Sequence, residues 1–496
     1  MNNSQHISES NQQQVDNELL HSDNNENSIS APSLQQILSS FEQCIDLVHQ
    51  SFQNNHVDIV YLVHLTDKQE LFREVINPLT LANEADIERL FSENLYQETT
   101  DSEFLINEVL DGSTAIFHRQ RAYYIKNNKC ETRSIDKSET ETVITGPHES
   151  FVESASTNLS IIRRRVKSSK LKTIKLQVGE VTKTDVYILY IDGIANMDYL
   201  QEFIKRIELI EIDAVHDSNM LIQLIDDVPN SLFPLFLTTE RTDTAVSKLV
   251  CGRIIGILDG SPSIFSAPSA FFEFFSSPDD YYQRWIIGTS TRLLRLVALC
   301  ITLTFTALYV STTTFHYEMI PEALLLTLTE SRSKVPFPPL YEALLMEVTI
   351  ELLREAGARL PTKIGQTIGI VGGIVIGQAA VQAGLTSNVL IIAVASSAIA
   401  SFVIPSYVMS ASIRLIRFGL IILAGTLGDL GIAIGITYLI IHLSGLTSLN
   451  TSYLTPVAPT NFKDWLDVLI RAPFWALKSR PSQVNTSNKI KSRQKK

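Results

Sequence analysis

The hydrophobic pattern divides the chain into two regimes. From Ser33 to about residue 280, apolar positions come in short periodic runs broken by charge; from Leu296 to Leu446 they form long uncharged stretches interrupted by one charged block. In the first regime "SLQQILSSFEQCIDLVHQSF" places Leu34, Ile37, Leu38, Phe41, Ile45 and Val48 at helical spacing, and "DIVYLVHL" reads as a buried strand. "STAIFHRQRAYYIK" alternates as a pair of strands, and the polar run ending at Pro147 reads as a linker. Beyond it come a helix ("ASTNLSIIRRRVKSS"), strands ("LKTIKLQVG", "TDVYILYIDGI"), a helix with Leu200, Phe203, Ile204 and Ile207 on one face, and a strand, "RIIGILDG". The expectation is two small α/β subdomains, 33–147 and 148–283. A tail, 1–32, precedes them, too polar to offset the entropy of ordering. "LDGSTAIF" and "LDGSPSIF" resemble each other, which raises a duplication, although Asp-Gly is common at hairpin turns.

The second regime predicts an all-α membrane domain, 284–460, with spans at about 296–315, 365–384, 388–409 and 418–446, followed by a basic tail, 461–496. The last span is longer than one crossing needs and carries Asp429 in its middle, so a tilt or a break is expected. Arg284, Arg292 and Arg295 precede the first span, and the tail after Asn461 holds nine Lys or Arg against two Asp. Both ends therefore read as cytosolic. Arg414 and Arg417 sit awkwardly in that scheme, since four spans put them on the outer side.

Whole-chain figures hide this division: a mean hydropathy of +0.11 and 45% hydrophobic residues average two unlike halves, and the net charge is -12. The polar opening, "MNNSQHISESNQQQVDNELL", predicts no secretory signal peptide. Cys44, Cys130, Cys251 and Cys300 lack C-x-x-C spacing, so neither disulfides nor zinc is expected. No P-loop, G-x-G-x-x-G, H-E-x-x-H or G-x-S-x-G occurs, so the reading is of a protein that is no enzyme and holds no cofactor or metal. Arg163, Arg164 and Arg165 with Lys167 and Lys170 form a basic cluster. In an acidic chain without interleaved aromatics it points to a subunit contact or an anionic lipid rather than nucleic acid.

Candidate chemistry lies in the membrane half. "GQTIGIVGGIVIGQAAVQAG" carries no charge, six glycines and three glutamines. At 100° per residue, Gly365, Gly369, Gly372, Gly373 and Gly377 share a small face suited to close helix packing, and Val371, Val375, Gln378 and Gln382 share the other. Amides facing lipid lack partners. Copies of this helix around an axis would place valines over rings of amides, the arrangement of a dewetting gate, whereas packing within one subunit is the plainer alternative. In the amphipathic helix at about 338–360, Glu347, Glu351 and Glu355 stand at i, i+4 and i+8. They would attract cations at a pore mouth, or form a solvated acidic face. Asp429 is a further cation-attracting candidate.

The segments "ESASTNLSIIRRR", "YIDGIAN", "FFEFFSSPDDYYQRWIIGTSTRLLR", "TTTFHYEMIP", "VPFPPLYEALLMEVTIELLREAGARLP", "IGQAAVQAGL" and "RAPFWALKSRP" resemble the bacterial spore germination receptor A-subunit family, the GerA type, from about Ser33 to Pro481. "TGPHESF" and "ESASTN" are less basic than the family's usual stretches. The resemblance implies a subunit of a nutrient receptor in the spore inner membrane, partnered by a transporter-like B subunit and a lipoprotein C subunit. It also implies self-association, as a pentamer, into a ligand-gated channel for monovalent cations. Alternatives are a family paralogue that amplifies ion release without sensing nutrient, and a non-conducting scaffold that clusters receptor subunits.

Overall fold

The computed structural model describes residues 32–128, 141 and 143–492; the side chains of residues 84–85 and 362–371 lie outside that description. The expected polar tail and most of the expected linker fall outside it as well. The chain forms two compact units, the first taking in residues up to 133 together with Leu159–Thr173 and the second the remainder. The boundary expected at residue 147 is thus crossed, because 159–173 return to the first unit.

In the first unit helix α1 (Leu34–Ser40) begins at Ser33, whose hydroxyl accepts from the Gln36 N–H. The helix expected to run through Val48 stops there, and Leu47–Phe52 is instead strand β1. It pairs antiparallel with β2 (Val57–Leu62), from Leu47 opposite Leu62 to Phe52 opposite Val57. A helix over this stretch would leave the β2 edge without backbone partners, a cost that outweighs helical spacing. β3 (Gln97–Thr99), helix α2 (Ser102–Leu110), β4 (Thr114–His118) and β5 (Arg121–Ile125) complete a sheet of order β1-β2-β4-β5-β3. Both faces are covered. Val60 and Leu62 pack with Ile37, Phe41 and Val109 on one side, and Val57 and Ile59 with Val75, Ile87 and Phe91 on the other. Helix α3 (Ala155–Arg165) contributes Arg163 to this unit. Its Nε and Nη2 each reach an oxygen of Asp46 at 2.8 Å, with both side chains buried. The leading arginine of the basic cluster is therefore structural.

A second sheet, which lies in the second unit except for the first three residues of its leading strand, repeats the first. β6 (Leu171–Val178), β7 (Thr184–Ile191), helices α4 (Met197–Glu208) and α5 (Ser218–Ile225), β8 (Leu237–Thr239), helix α6 (Thr242–Val250), β9 (Ile254–Leu258) and β10 (Ile264–Ala267) give the order β6-β7-β9-β10-β8. Position for position this is the order of the first sheet. The matching strands β4 and β9 are each entered from a helix through a left-handed glycine, Gly112 at φ +97° and Gly252 at φ +94°. Their N–H groups bond the carbonyls of Val109 and Leu249 at the ends of α2 and α6. The Asp-Gly motifs do not mark the repeat: the first precedes β4, whereas the second follows β9.

Helices α7 (Trp285–Thr314), α8 (Glu322–Arg332), α9 (Pro339–Arg359), α10 (Thr362–Gln382), α11 (Asn388–Phe402), α12 (Tyr407–Leu427) and α13 (Asp429–Gly445) build the all-α part. α7 packs against α11 and α12, and α10 packs on α9. By length and composition α7 and α12 are able to cross a membrane, and α11 and α13 are shorter apolar helices. These limits revise the expected spans. α7 starts among the arginines expected to precede it, and Arg292 and Arg295 reach Asp280 at 3.0 and 2.7 Å. The third stretch ends at Phe402 because Pro405 cannot continue a helix, and Ser406 then caps a new one by accepting from Met409 N–H. The long fourth stretch is two antiparallel helices. Gly428, at φ +64°, turns the chain, and a Cβ on Gly431 would lie 2.1 Å from the Leu423 carbonyl oxygen.

One apolar core joins the second sheet to the near end of the bundle: Phe203, Phe236 and Phe265 are continuous with Met409, Ile413, Leu446, Leu449 and Tyr453. After a short helix, α14 (Phe462–Val468), the chain returns to the sheet. Arg480 bonds the Val250 carbonyl at 2.9 Å, and Gln483 donates to Ser269 O at 2.8 Å and accepts from Arg253 at 3.2 Å.

Candidate functional site

The acidic helix α9 turns one face of its first half into the bundle and leaves the opposite face, with Tyr341, Leu345, Val348 and Leu352, exposed. Its first-half residues Glu342 and Glu347 are buried, at 1% and 0% exposure, which no carboxylate sustains without a partner. Each has one. Glu342 lies 3.3 Å from Arg332 and accepts the Ser387 N–H at 3.2 Å. One and a half turns on, Glu347 lies 2.5 Å from Arg417, also fully buried, and accepts from Thr306 of α7 at 3.0 Å. Arg417 donates onward to Ser397 of α11 at 2.8 Å. A turn further, Glu351 meets Arg414 at 3.2 Å, and Arg414 donates to Ser410 at 2.9 Å. Arg354 bonds Ser401 at 2.9 Å and stands over the Phe402 ring.

Along α9 the partners on α12 fall in number as those on α11 rise, so α9 is antiparallel to α12 and parallel to α11. The result is a ladder of ionic and hydroxyl rungs tying four helices at fixed register. Its inner rungs hold three cations (Arg354, Arg414, Arg417) against two carboxylates (Glu347, Glu351).

The three carboxylates placed by sequence on one face thus have separate surroundings. Glu347 is internal and Glu351 half-buried, while Glu355 stays at the surface beside Arg359 at 2.5 Å. Asp429 is the first residue of α13, directly after the break. It accepts from Ser311 of α7 at 2.5 Å and lies 3.9 Å from His316, in keeping with an acid at a helix N-terminus.

α10 differs from the rest of the bundle. Val375, Gln378 and Gln382 are exposed, Val375 at 56%. Ala380 is buried, and a Cβ on Gly372 would meet Leu353 at 3.0 Å, but Gly373 and Gly377 have open space around them. Gly365, Gly369 and Val371 lie among the residues whose side chains are not described. Within one chain, the described part of α10 therefore leaves uncovered both Gln378 and Gln382 and much of its small-residue face.

Sequence reasoning missed the arginine side of the ladder. The signal was present as Arg414 and Arg417, three apart in an otherwise apolar stretch, with Glu347 and Glu351 spaced to meet them from another helix. In the second unit a crevice of about 1000 Å³ lies between the sheet, the α11–α12 turn at Ile404–Pro405 and α14. Arg241–Asp243 and Lys248–Glu273 ion pairs line it. Among the described residues no group of His, Cys, Asp and Glu is arranged to hold a metal ion. The ladder fixes helices in place.

A family model described as Bacillus/Clostridium GerA spore germination protein matches residues 35–483. Spore germination protein GerQA of Bacillus cereus is 44% identical over 460 residues, covering 91% of this chain and 92% of its own. Spore germination protein KA of Bacillus subtilis is 40% identical over 446 residues, 88% of this chain and 82% of its own. A crystal structure of the N-terminal domain of the A subunit of the Bacillus megaterium spore germinant receptor GerK3 aligns with 49% of this chain and 98% of its own, at 26% identity and a TM-score of 0.38.

Proposed function

The chain belongs to the GerA family of spore germination proteins and acts in germination, and on that premise we propose that it is the A subunit of a nutrient receptor in the spore inner membrane. Copies of it assemble around a shared axis, as a pentamer, beside a transporter-like B subunit and a lipoprotein C subunit. α10 lines the path of a monovalent cation, with Val371 and Val375 forming the constriction and Gln378 and Gln382 the amide rings. The observation that carries this reading is the exposure of Val375, Gln378 and Gln382 on a helix set in an apolar bundle. Amides on the lipid side would be unsatisfied; amides on a water-filled axis are solvated. The α9 ladder then serves as the rigid wall on which α10 rests. Glu355, at the α9 end that leads into α10, draws cations to the path, as does Asp429.

The test uses spores carrying Val375→Ala and Gln378→Cys. Val375→Ala widens and wets the constriction, so ions leak without nutrient. Gln378→Cys becomes reactive to a charged thiol reagent once germination is triggered. Normal dormancy in the first variant, with an unreactive thiol in the second, would overturn the reading in favour of a non-conducting scaffold.

A further inference from the structure

Two consecutive acids, Asp226 and Asp227, follow α5 where the second sheet layer meets the chain leaving the bundle. Asp227 is ion-paired with Arg206 of α4 and is 6% exposed. Arg206 also reaches Glu202 at 2.9 Å and the Ile225 carbonyl at 3.0 Å. The second Asp227 oxygen accepts from the Thr447 hydroxyl at 2.6 Å and from the Asn450 N–H at 3.2 Å. Those residues come directly after α13. A single carboxylate therefore joins a helix of the soluble layer to the exit turn of the last bundle helix.

That turn needs holding. Leu449 at φ +47° and Asn450 at φ +61° both lie in the left-handed region, which is costly for leucine. Ser448 Oγ donates to the Leu235 carbonyl at 2.7 Å and Tyr453 OH to the Pro234 carbonyl at 2.7 Å, so the segment is gripped from one side by the soluble layer.

Asp226 shares this joint without being satisfied in it: its Oδ1 is buried and has no hydrogen-bond partner among the described residues. The charged and titratable groups around it are Asp227 on its own segment, Arg206 with its partner Glu202 on α4, and Tyr453 beyond the exit turn, which also faces Glu273. Burial, and then the Asp227 carboxylate, push the Asp226 carboxyl up to about 7 against the pull of Arg206.

We propose that Asp226 and Asp227 form a proton-sensitive joint between the soluble layer and the last bundle helix. With Asp226 protonated, Arg206 has only Glu202 and Asp227 to serve and the exit turn is held. When Asp226 ionises, two adjacent carboxylates compete for one guanidinium, and the turn is released from α4. A released Asp226 titrates near the ordinary aspartate value, about 3.9, so the closed joint binds the proton more tightly. Closure is then favoured at low pH, weakens by up to roughly tenfold per unit between about pH 4 and about pH 7, and levels off above. The joint concerns how two parts of one chain are tied, and it holds whether or not the bundle conducts ions.

Hydrogen exchange of the peptide over 446–453, followed in the full chain in lipid nanodiscs from pH 5 to pH 8 and corrected for intrinsic chemistry, tests it. In the parent the opening equilibrium rises by roughly tenfold or more between pH 5 and pH 7, then flattens. Asp226→Asn stays protected with a flat profile, and Asp227→Asn exchanges fast throughout. Thr447→Val, which removes one donor and no charge, exchanges faster while keeping the parent's pH dependence; it decides the matter if Asp227→Asn fails to fold. A parent-like pH profile in Asp226→Asn, or parent-like protection in Thr447→Val, overturns the proposal.

Discussion

Arg417 and Glu347 meet 2.5 Å apart at a point where neither side chain reaches solvent. Such a pair need not stabilise relative to apolar residues, but losing one member strands the other, at about 3–5 kcal/mol. Arg417→Met or Glu347→Leu alone should therefore lower the unfolding temperature of the detergent-solubilised chain sharply. The double variant should recover most of the loss. A double variant as unstable as the sum of the singles would mean that the two positions are independent.

The turn between α12 and α13 depends on missing side chains. A Cβ at Gly431 would sit 2.1 Å from the Leu423 oxygen, whereas at Gly419 and Gly445 nothing lies within 4 Å. Gly431→Ala should cost about 1–3 kcal/mol by forcing the two helices apart. Gly419→Ala, within α12, should be neutral or slightly stabilising. Thermal melts of the two variants side by side check the contrast.

Gly377 has open space around it within one chain, so Gly377→Val leaves the fold of a single copy unharmed. If the small-residue face of α10 is where copies meet, the same variant loses assembly. Mass photometry of the purified protein should then show a shift to smaller particles at an unchanged melting temperature.

Glu273 gives the second sheet an acid limit. Burial pushes its carboxyl up, but Arg253 and Lys248 outweigh burial and hold it below the ordinary range. A carboxyl lowered in the folded state contributes stability that is full above its unfolded value, about 4.3. That contribution is lost as pH falls below this value through the folded one. Glu273→Gln should therefore be less stable than the parent at pH 7 and lose less on acidification from pH 5 to pH 3, read by tryptophan fluorescence.

The strands were legible where apolar runs were short and bounded, as at Val57–Leu62 and Ile254–Leu258, because burial on both faces leaves no other reading. Leu47–Phe52 was not, because its pairing with β2 is a non-local fact and its spacing fits a helix equally well. The repeated sheet order was hidden for a related reason. What the two copies share is strand order and a left-handed glycine after a helix, at Gly112 and Gly252, rather than a string of letters. In the bundle the acids of α9 were legible as a row, and the break of the long last stretch at Asp429 was legible from its length and that acid. Which arginine answers which acid required the packing of α9 against α12.

The return of the chain to the second sheet through Arg480 and Gln483 bears on how the protein is handled. Gln483 shares Arg253 with Glu273, so a truncation ahead of Arg480 would strip an acceptor from that buried guanidinium and uncover the end of α6. A fusion spliced close behind Gln483 would crowd the contacts that this side chain makes with Arg253 and Ser269.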